Sequence, residues 1–160
     1  MAGDGQVGFT QGGPRDRGCV DRVGLAAGAR DPTLLAMPGV GPLTAGKLVG
    51  EAAGVGRFKS EAAFARHSGI APIPVWSGNT AGRVRMSRAG NRQLNAALHR
   101  IAVTQIRLDG EGRRYYRKRL MAGDSTTEAL RCLKRRLARV VFKTLHTLEQ
   151  PATGLQPAAA

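Results

Sequence analysis

The chemistry in this sequence centres on one serine in a turn. Ser77 stands between Trp76 and Gly78, and a basic string follows that contains Arg83, Arg85 and Arg88. A serine hydroxyl becomes a good nucleophile only when a base or a metal activates it, and cations stabilise the charge that develops on a phosphorus under attack. The arginines could meet this second need. The histidines show no readable relation to Ser77 and no carboxylates cluster as Mg²⁺ ligands, so the residues alone favour a plain turn serine.

A glycine turn at residues 37–42 is the second candidate site. Its sequence, Met-Pro-Gly-Val-Gly-Pro, separates two apolar runs, and glycine permits positive φ and the close approach of another backbone. The N–H groups of Gly39, Val40 and Gly41, with the first turn of the next helix, could converge on one phosphate oxygen, and Lys47 could add a charge contact. This arrangement resembles the helix-hairpin-helix of non-sequence-specific DNA-binding proteins. The alternative is a tight corner that needs glycine for its geometry alone.

Both sites need a scaffold, and the first half of the chain predicts short helices. Asp31 and Pro32 are typical of a helix start, and this first helix stops at the glycine turn. A second helix is expected over residues 42–54, which gives the turn a helix-hairpin-helix-like setting. Ser60 caps a third, short helix that Gly69 closes. The inner face of the second helix is expected to contain Leu43, Ala45, Leu48 and Val49.

The segment that contains Ser77 predicts no helix. Pro72 and Pro74 exclude one, so residues 70–86 form either an extended loop or a small irregular hairpin. Functional groups are often carried on such segments and held by a rigid scaffold.

Long basic helices are expected after this segment. One spans Asn91 to about Leu108, and a shorter one covers residues 113–119. Ser125 and Glu128 form a capping box, which opens a helix to about residue 148. Its apolar stripe is expected to contain Leu130, Leu133, Leu137, Val140, Val141, Leu145 and Leu148. The fold class is therefore mainly α, with residues 31–149 as one domain, residues 1–30 as a disordered or atypical leader and residues 150–160 as a disordered tail.

The charge of the chain favours a polyanionic partner. Lys and Arg number 25 against 11 acids in 160 residues, a net charge of +14, and aromatic residues make up only 4%, so the core must be aliphatic. Residues 83–143 alone hold 17 Lys or Arg and 4 acids. Cations near phosphates release counterions, so this segment favours nucleic acid, although a solvated basic surface is the plain alternative. Two distant cysteines predict neither a disulfide nor a metal site, and without a signal peptide or membrane span the expected location is the cytoplasm.

Several phrases of the sequence, in order, resemble one protein family. They are Pro38-Gly39-Val40-Gly41 with Ala45, Phe58 followed by Phe64-Ala65-Arg66, Gly69-Ile70-Ala71-Pro72, Ser77-Gly78, Gly82, and Gly90-Asn91 before Leu94. Over residues 34–145 the chain resembles the C-terminal transposase domain of the bridge-RNA-guided insertion-sequence transposases. These are serine recombinases whose N-terminal, resolvase-like domain bears four acidic residues.

The resemblance implies roles for particular residues. Ser77 takes the position of the nucleophile that attacks a DNA phosphate, with Ser68 and Ser87 as alternatives. The nucleic-acid-binding residues are expected to be Gly39, Val40, Gly41, Lys47, Arg83, Arg85, Arg88 and Asn91. The family's Mg²⁺ would be held by the acidic domain, so this chain is expected to bind no cofactor itself. DNA, guide RNA and further copies of the protein are the implied partners, and no membrane.

Some features depart from the family pattern. Trp76-Ser77 stands where two serines are common, and Leu94-Asn95 where Leu-Arg is usual. Nothing in residues 1–30 replaces the acidic domain, which predicts a truncated copy of a transposase that binds DNA but does not complete strand exchange alone. The alternative is a stand-alone basic nucleic-acid-binding module without catalytic activity.

Overall fold

A computed structural model of the chain describes residues 31–74, 78–80, 84–86 and 89–149. The expected leader and tail lie outside these ranges. The elements are α1 (Pro32–Leu35), α2 (Pro42–Ala52), the 3₁₀ helix η1 (Val55–Arg57), α3 (Glu61–His67), β1 (Pro72–Pro74), the 3₁₀ turn η2 (Gly78–Thr80), β2 (Val84–Met86), α4 (Arg92–Arg107), α5 (Glu111–Met121) and α6 (Thr126–Glu149). The fold is mainly helical, as the sequence predicted.

Helix α6 is the element against which most of the others pack. It contacts α1, η1, α3, α4 and α5, while α2 packs on α4. Apolar residues at helical spacing fall on one side of a helix, and their burial drives this packing. The buried face of α6 consists of Ala129, Leu133, Leu137, Ala138, Val141 and Leu145.

The core is aliphatic, as the low aromatic content predicted. Phe64 of α3 is fully buried within it. Its ring meets Phe58 edge-on, with centroids 5.4 Å apart, and lies 5.8 Å from the ring of Phe142 on α6. Other fully buried side chains are Leu34, Leu48, Val55, Ile70, Leu94, Leu98, Ile101, Leu133 and Val141.

The predicted helix caps are confirmed. Asp31 Oδ1 accepts hydrogen bonds from the N–H groups of Thr33 and Leu34 at 2.8 and 3.3 Å. Ser60 Oγ accepts from Ala63 N–H at 3.2 Å. In the capping box, Glu128 N–H donates to Ser125 Oγ at 3.3 Å and Ser125 N–H donates to Glu128 Oε2 at 3.0 Å.

Three positions that the sequence predicts on apolar faces are exposed instead. Leu43, expected on the inner face of α2, is 89% exposed because residues two apart, such as Leu43 and Ala45, point to opposite sides of a helix. Val140 and Leu148 of α6 also lie at the edge of the buried stripe.

Of the two alternatives for this segment, the structure has the small hairpin, formed by strands β1 and β2. Strands β1 and β2 pair antiparallel, with Pro72 opposite Met86 and Pro74 opposite Val84. Within the described ranges, no helix combines the length and the hydropathy that a bilayer crossing needs.

Candidate nucleic-acid interface

Two residues of the glycine turn face the protein. Gly39 has φ of +86°, and a Cβ there would lie 3.1 Å from Thr104 Cβ and 3.2 Å from the Ile101 carbonyl oxygen on α4. Val40 is buried. The Pro38 carbonyl accepts a hydrogen bond from Gln105 Nε2 at 2.8 Å. The turn is therefore docked on α4, which accounts for the glycine at position 39 by geometry alone.

The third residue of the turn faces outward. Gly41 is exposed, has an extended backbone with φ of −97°, and a Cβ there would meet nothing within 4 Å. Its carbonyl accepts from the N–H groups of Thr44 and Ala45, both at 2.9 Å. Among the described residues no backbone acceptor faces the N–H of Gly41 or of Leu43. Two free donors at the positive end of an eleven-residue helix can take an anion.

Lys47 does not converge with these donors. It lies six positions after Gly41, which is about 9 Å along the axis of α2. Its amine donates to Gln93 Oε1 on α4 at 2.8 Å. The expected contact of Lys47 with the same phosphate stays a prediction, and it requires the side chain to leave Gln93.

Asn91 has a structural role at the start of α4. Its Oδ1 accepts from the N–H groups of Gln93 and Leu94, at 2.9 and 3.0 Å, and caps the helix. Its Nδ2 donates to Glu51 Oε2 on α2 at 2.7 Å. Both polar atoms of the side chain thus have protein partners. Its contact with nucleic acid stays a prediction.

The two ends of the hairpin segment are held together at its base. A Cβ on Gly90 would lie 2.3 Å from both Cα and N of Gly69, so the two glycine backbones are in direct contact. Asn91 N–H donates to the His67 carbonyl at 2.7 Å. Asn95 Nδ2 donates to the Ser68 carbonyl at 2.9 Å. This base fixes where the hairpin leaves the helical scaffold.

Most of the predicted serine site lies outside the described residues. The residues outside are Ser77, Arg83, Arg88 and the alternative Ser87. Arg85 lies on β2 and is exposed. The other alternative, Ser68, is fully buried and donates to the Ala65 carbonyl at 3.0 Å, so its hydroxyl cannot reach a DNA phosphate.

A cationic groove of about 960 Å³ lies between the hairpin and the α5–α6 pair. We name it the arginine groove. Arg85 comes from the hairpin, Arg119 from α5, and Arg131 and Arg135 from successive turns of α6. Among the described residues, the lining of this groove is Ile70, Pro72, Arg85, Met86, Arg119, Asp124, Glu128, Arg131, Cys132 and Arg135.

The two acids of the arginine groove are held by local partners. Asp124 Oδ2 accepts from Arg119 Nε at 2.5 Å. Glu128 accepts from the hydroxyl and the N–H of Ser125, and these hydrogen bonds lower the pKa of its carboxyl. The remaining cations of the groove, Arg85, Arg131 and Arg135, have no carboxylate partner among the described residues.

Sequence reasoning did not place Arg119, Arg131 and Arg135 in the site. The four-residue spacing of Arg131 and Arg135 was a usable signal, because such residues share one side of a helix. That this side faces the hairpin follows only from the tertiary structure.

The middle of α6 is positively charged, while its acids lie at its two ends. Glu128 closes the N-terminal cap, and the carboxylate of Glu149 accepts from the N–H groups of Val55 and Gly56 at 2.5 and 2.9 Å. Lys134 is half-buried and donates to Asn95 Oδ1 at 2.6 Å. Burial, and then the charge of Arg131, lowers the pKa of the Lys134 amine.

The described residues do not fit the Mg²⁺ that the family resemblance implies. A divalent ion held by protein needs several oxygen ligands from carboxylates or carbonyls at one point. No group of three His, Cys, Asp or Glu side chains in the described ranges comes together in this way. Mg²⁺ at this site would need ligands from elsewhere.

Comparison with known proteins identifies similar sequences. The Transposase IS116/IS110/IS902 family matches residues 31–117. The chain is 32% identical over 123 residues to the 42 kDa protein of insertion element IS900 from Mycobacterium paratuberculosis, covering 75% of this chain and 31% of that protein. It is 34% identical over 121 residues to the 43.6 kDa protein of insertion element IS110 from Streptomyces coelicolor, covering 76% and 30%. It is 32% identical over 122 residues to the 44.8 kDa protein of insertion element IS116 from Streptomyces clavuligerus, covering 73% and 31%. The chain thus spans about a third of the length of these relatives.

Proposed function

The chain belongs to the IS116/IS110/IS902 transposase family, and on that basis we propose that it is a nucleic-acid-binding part of an insertion-sequence transposase. In this proposal it holds DNA, and guide RNA in the assembled enzyme, through cationic and backbone donors. It also contributes Ser77 as a nucleophile. Action as a homo-oligomer belongs to the same proposal.

The observation that carries the binding proposal is the charge arrangement on α6. Its six cations lie between Glu128 and Glu149, the two acids at the helix ends. Both carboxylates already accept hydrogen bonds within the protein. Arg136 and Arg139 have acidic neighbours, Glu111 at 3.6 Å and Glu61 at 3.3 Å. The others have no carboxylate partner in the described part of the chain, namely Arg131, Lys134, Arg135 and Lys143. Unpaired cations along one helix attract a phosphate backbone, and the released counterions favour binding.

The glycine turn supports the same function through its backbone. The N–H groups of Gly41 and Leu43 are available at the start of α2, where the helix dipole also favours an anion. Such contacts fix the position of a nucleic acid without reading its bases. We therefore expect the turn to contribute affinity and no sequence preference.

The catalytic part of the proposal concerns Ser77. Its Oγ would attack phosphorus and form a phosphoserine ester with one DNA end, while the displaced deoxyribose oxygen takes a proton and leaves as a hydroxyl. In this proposal Arg85, on strand β2, stabilises the charge that develops on the phosphoryl oxygens. A base takes the serine proton, and the proposal assigns that role to none of the described residues.

Binding is tested by fluorescence anisotropy with a labelled oligonucleotide at several salt concentrations. We expect affinity to fall about a hundredfold or more between 50 and 200 mM salt, as phosphate-dominated binding does. An affinity that stays flat over this range would contradict the proposal.

The role of Ser77 is tested with a suicide DNA substrate and the acidic domain of a relative added in trans. A covalent adduct should form and should map to the peptide that contains Ser77. It should be lost in Ser77→Ala and retained in Ser87→Ala, which is the matched control. An adduct on the other serine would reassign the nucleophile.

The alternative function is that of a stand-alone basic nucleic-acid-binding module without catalytic activity. In that case the salt dependence remains and no adduct forms with any acidic domain.

A further inference from the structure

We propose that the arginine groove binds unpaired nucleic acid, with phosphates on Arg131 and Arg135 and a base against Pro72 and Met86. This inference rests on the proposed nucleic-acid binding and adds the class of strand and its location.

The shape of the groove favours a single strand. Its volume of about 960 Å³ is at the upper end of ordinary ligand pockets, which are roughly 300–1000 Å³. Proteins read a duplex by placing a protruding helix or ribbon into a groove of the DNA. Here the protein provides the recess, and the base edges of an intact duplex cannot enter it. An unpaired base can.

The lining joins two kinds of surface that a single strand needs. Arg131 and Arg135 lie about 6 Å apart along α6, and their planar guanidinium groups can each hold a phosphate through two hydrogen bonds. Ile70, Pro72 and Met86 form an apolar wall on the hairpin side. Sites for unpaired strands generally combine a positively charged track with aromatic side chains on which bases stack. Among the described residues of this groove, the apolar wall takes the place of the aromatic side chains.

The glycine turn differs from the groove and suits a duplex instead. Leu43, which carries one of the free N–H groups, is 89% exposed, so the start of α2 lies at the surface. Surface N–H groups can contact a duplex backbone without access to its bases. The chain thus offers one surface for each form of nucleic acid, and substitutions should affect them separately.

The test uses the complete chain and three labelled probes: an unstructured DNA strand, an RNA strand of the same sequence, and the DNA duplex. The double variant Arg131→Gln/Arg135→Gln removes two groove cations. The control, Arg114→Gln/Arg117→Gln, removes two exposed cations from α5 outside the groove. Thermal melts establish that both variants are folded.

We expect the groove variant to bind the single strands at least tenfold more weakly than the unchanged protein does. Its affinity for the duplex should be no lower than that of the control variant. Its slope of log K against log salt for single strands should fall by about 1.4, the value for two lost phosphate contacts. Loss with one of the two single strands assigns the groove to DNA or to RNA. Equal losses for strand and duplex, or equal losses in both variants, would overturn the inference while leaving the proposed function intact.

A second measurement covers the case in which the double variant does not fold. A strand that carries 5-iodouracil is photo-crosslinked to the unchanged protein, and the adducts are mapped by mass spectrometry. Adducts on the peptides of Pro72, Met86 or Cys132 support the assignment, and adducts found only elsewhere contradict it. If the unchanged protein binds none of the three probes, the proposed function itself fails.

Discussion

The contact between Gly69 and Gly90 gives the sharpest prediction for stability. In Gly90→Ala the new Cβ would lie 2.3 Å from two backbone atoms of Gly69. Real Cβ contacts are longer than 3.0 Å, so the two backbones must move apart by about 0.7 Å. No side chain can rotate to relieve this contact, because both partners are main chain.

The size of the loss in stability depends on the steric overlap and on the hydrogen bonds that cross the same junction. Overpacking costs about 1–3 kcal/mol. The hydrogen bonds from Asn91 N–H to His67 and from Asn95 Nδ2 to Ser68 are 2.7 and 2.9 Å long, and a displacement of this size breaks or weakens them at about 0.5–1.5 kcal/mol each. We expect a loss of roughly 2–6 kcal/mol in the free energy of unfolding, which for a domain of this size lowers Tm by about 10 °C or more.

The assay is thermal denaturation followed by circular dichroism at neutral pH. Gly56→Ala is the control, since it makes the same chemical change and its Cβ would meet only Glu149 Oε2, at an ordinary 3.8 Å. The control should melt close to the unchanged protein. A Gly90→Ala variant that melts within the error of the control would refute the reasoning, because it would show that the hairpin base is not closed by backbone contact.

Three further predictions concern the helix ends. Gly41→Asp should raise Tm slightly, since a carboxylate in place of glycine at the N-cap of α2 stabilises a helix by about 0.5–1 kcal/mol. It should also weaken duplex binding in the anisotropy assay by repelling phosphate. Unchanged or stronger duplex binding would contradict the anion-binding role of the turn. Glu149→Gln should lower the free energy of unfolding by about 1–2 kcal/mol, because the two N–H groups of η1 lose a charged acceptor. Urea titration measures this loss, and an unchanged midpoint would show that the contact is not stabilising. The stability that the Glu128 cap contributes should be complete above the carboxyl's ordinary pKa of 4.5 and should be lost as pH falls through its lower folded-state pKa. Glu128→Gln should flatten that part of the plot of Tm against pH. An identical loss of Tm at acid pH in both proteins would show that other groups cause it.

The helix boundaries were predictable because their signals are local. Asp31, Ser60 and Ser125 each precede a helix and satisfy its first N–H groups, and such caps depend only on neighbouring residues. The sequence does not decide between a hairpin and an extended loop, because Pro72 and Pro74 exclude a helix but do not specify a strand partner.

The interface was predictable only in part because it is assembled from distant segments. Gly90 and Gly69 meet through tertiary packing, and nothing in their immediate sequence indicates the contact. Lys47 and Asn91 have the right chemistry for phosphate, but Gln93 and Glu51 occupy them, and these neighbours are not readable from the sequence. The error at Leu43 was of another kind, since a stricter use of the 3.6-residue period would have placed it on the outer side.

The bond from Glu149 to the N–H groups of Val55 and Gly56 has a consequence for biosynthesis. The last residue of α6 closes a contact with a segment more than ninety residues earlier, and α6 supplies one wall of the core for α1, α3, α4 and α5. On the ribosome, these helices emerge before α6 and can pack only on one another, without the wall of the core that α6 supplies. At about 5–20 residues per second, their apolar faces wait seconds for the completion of α6. The nascent chain is therefore most exposed to chaperones and proteases just before it becomes a folded domain.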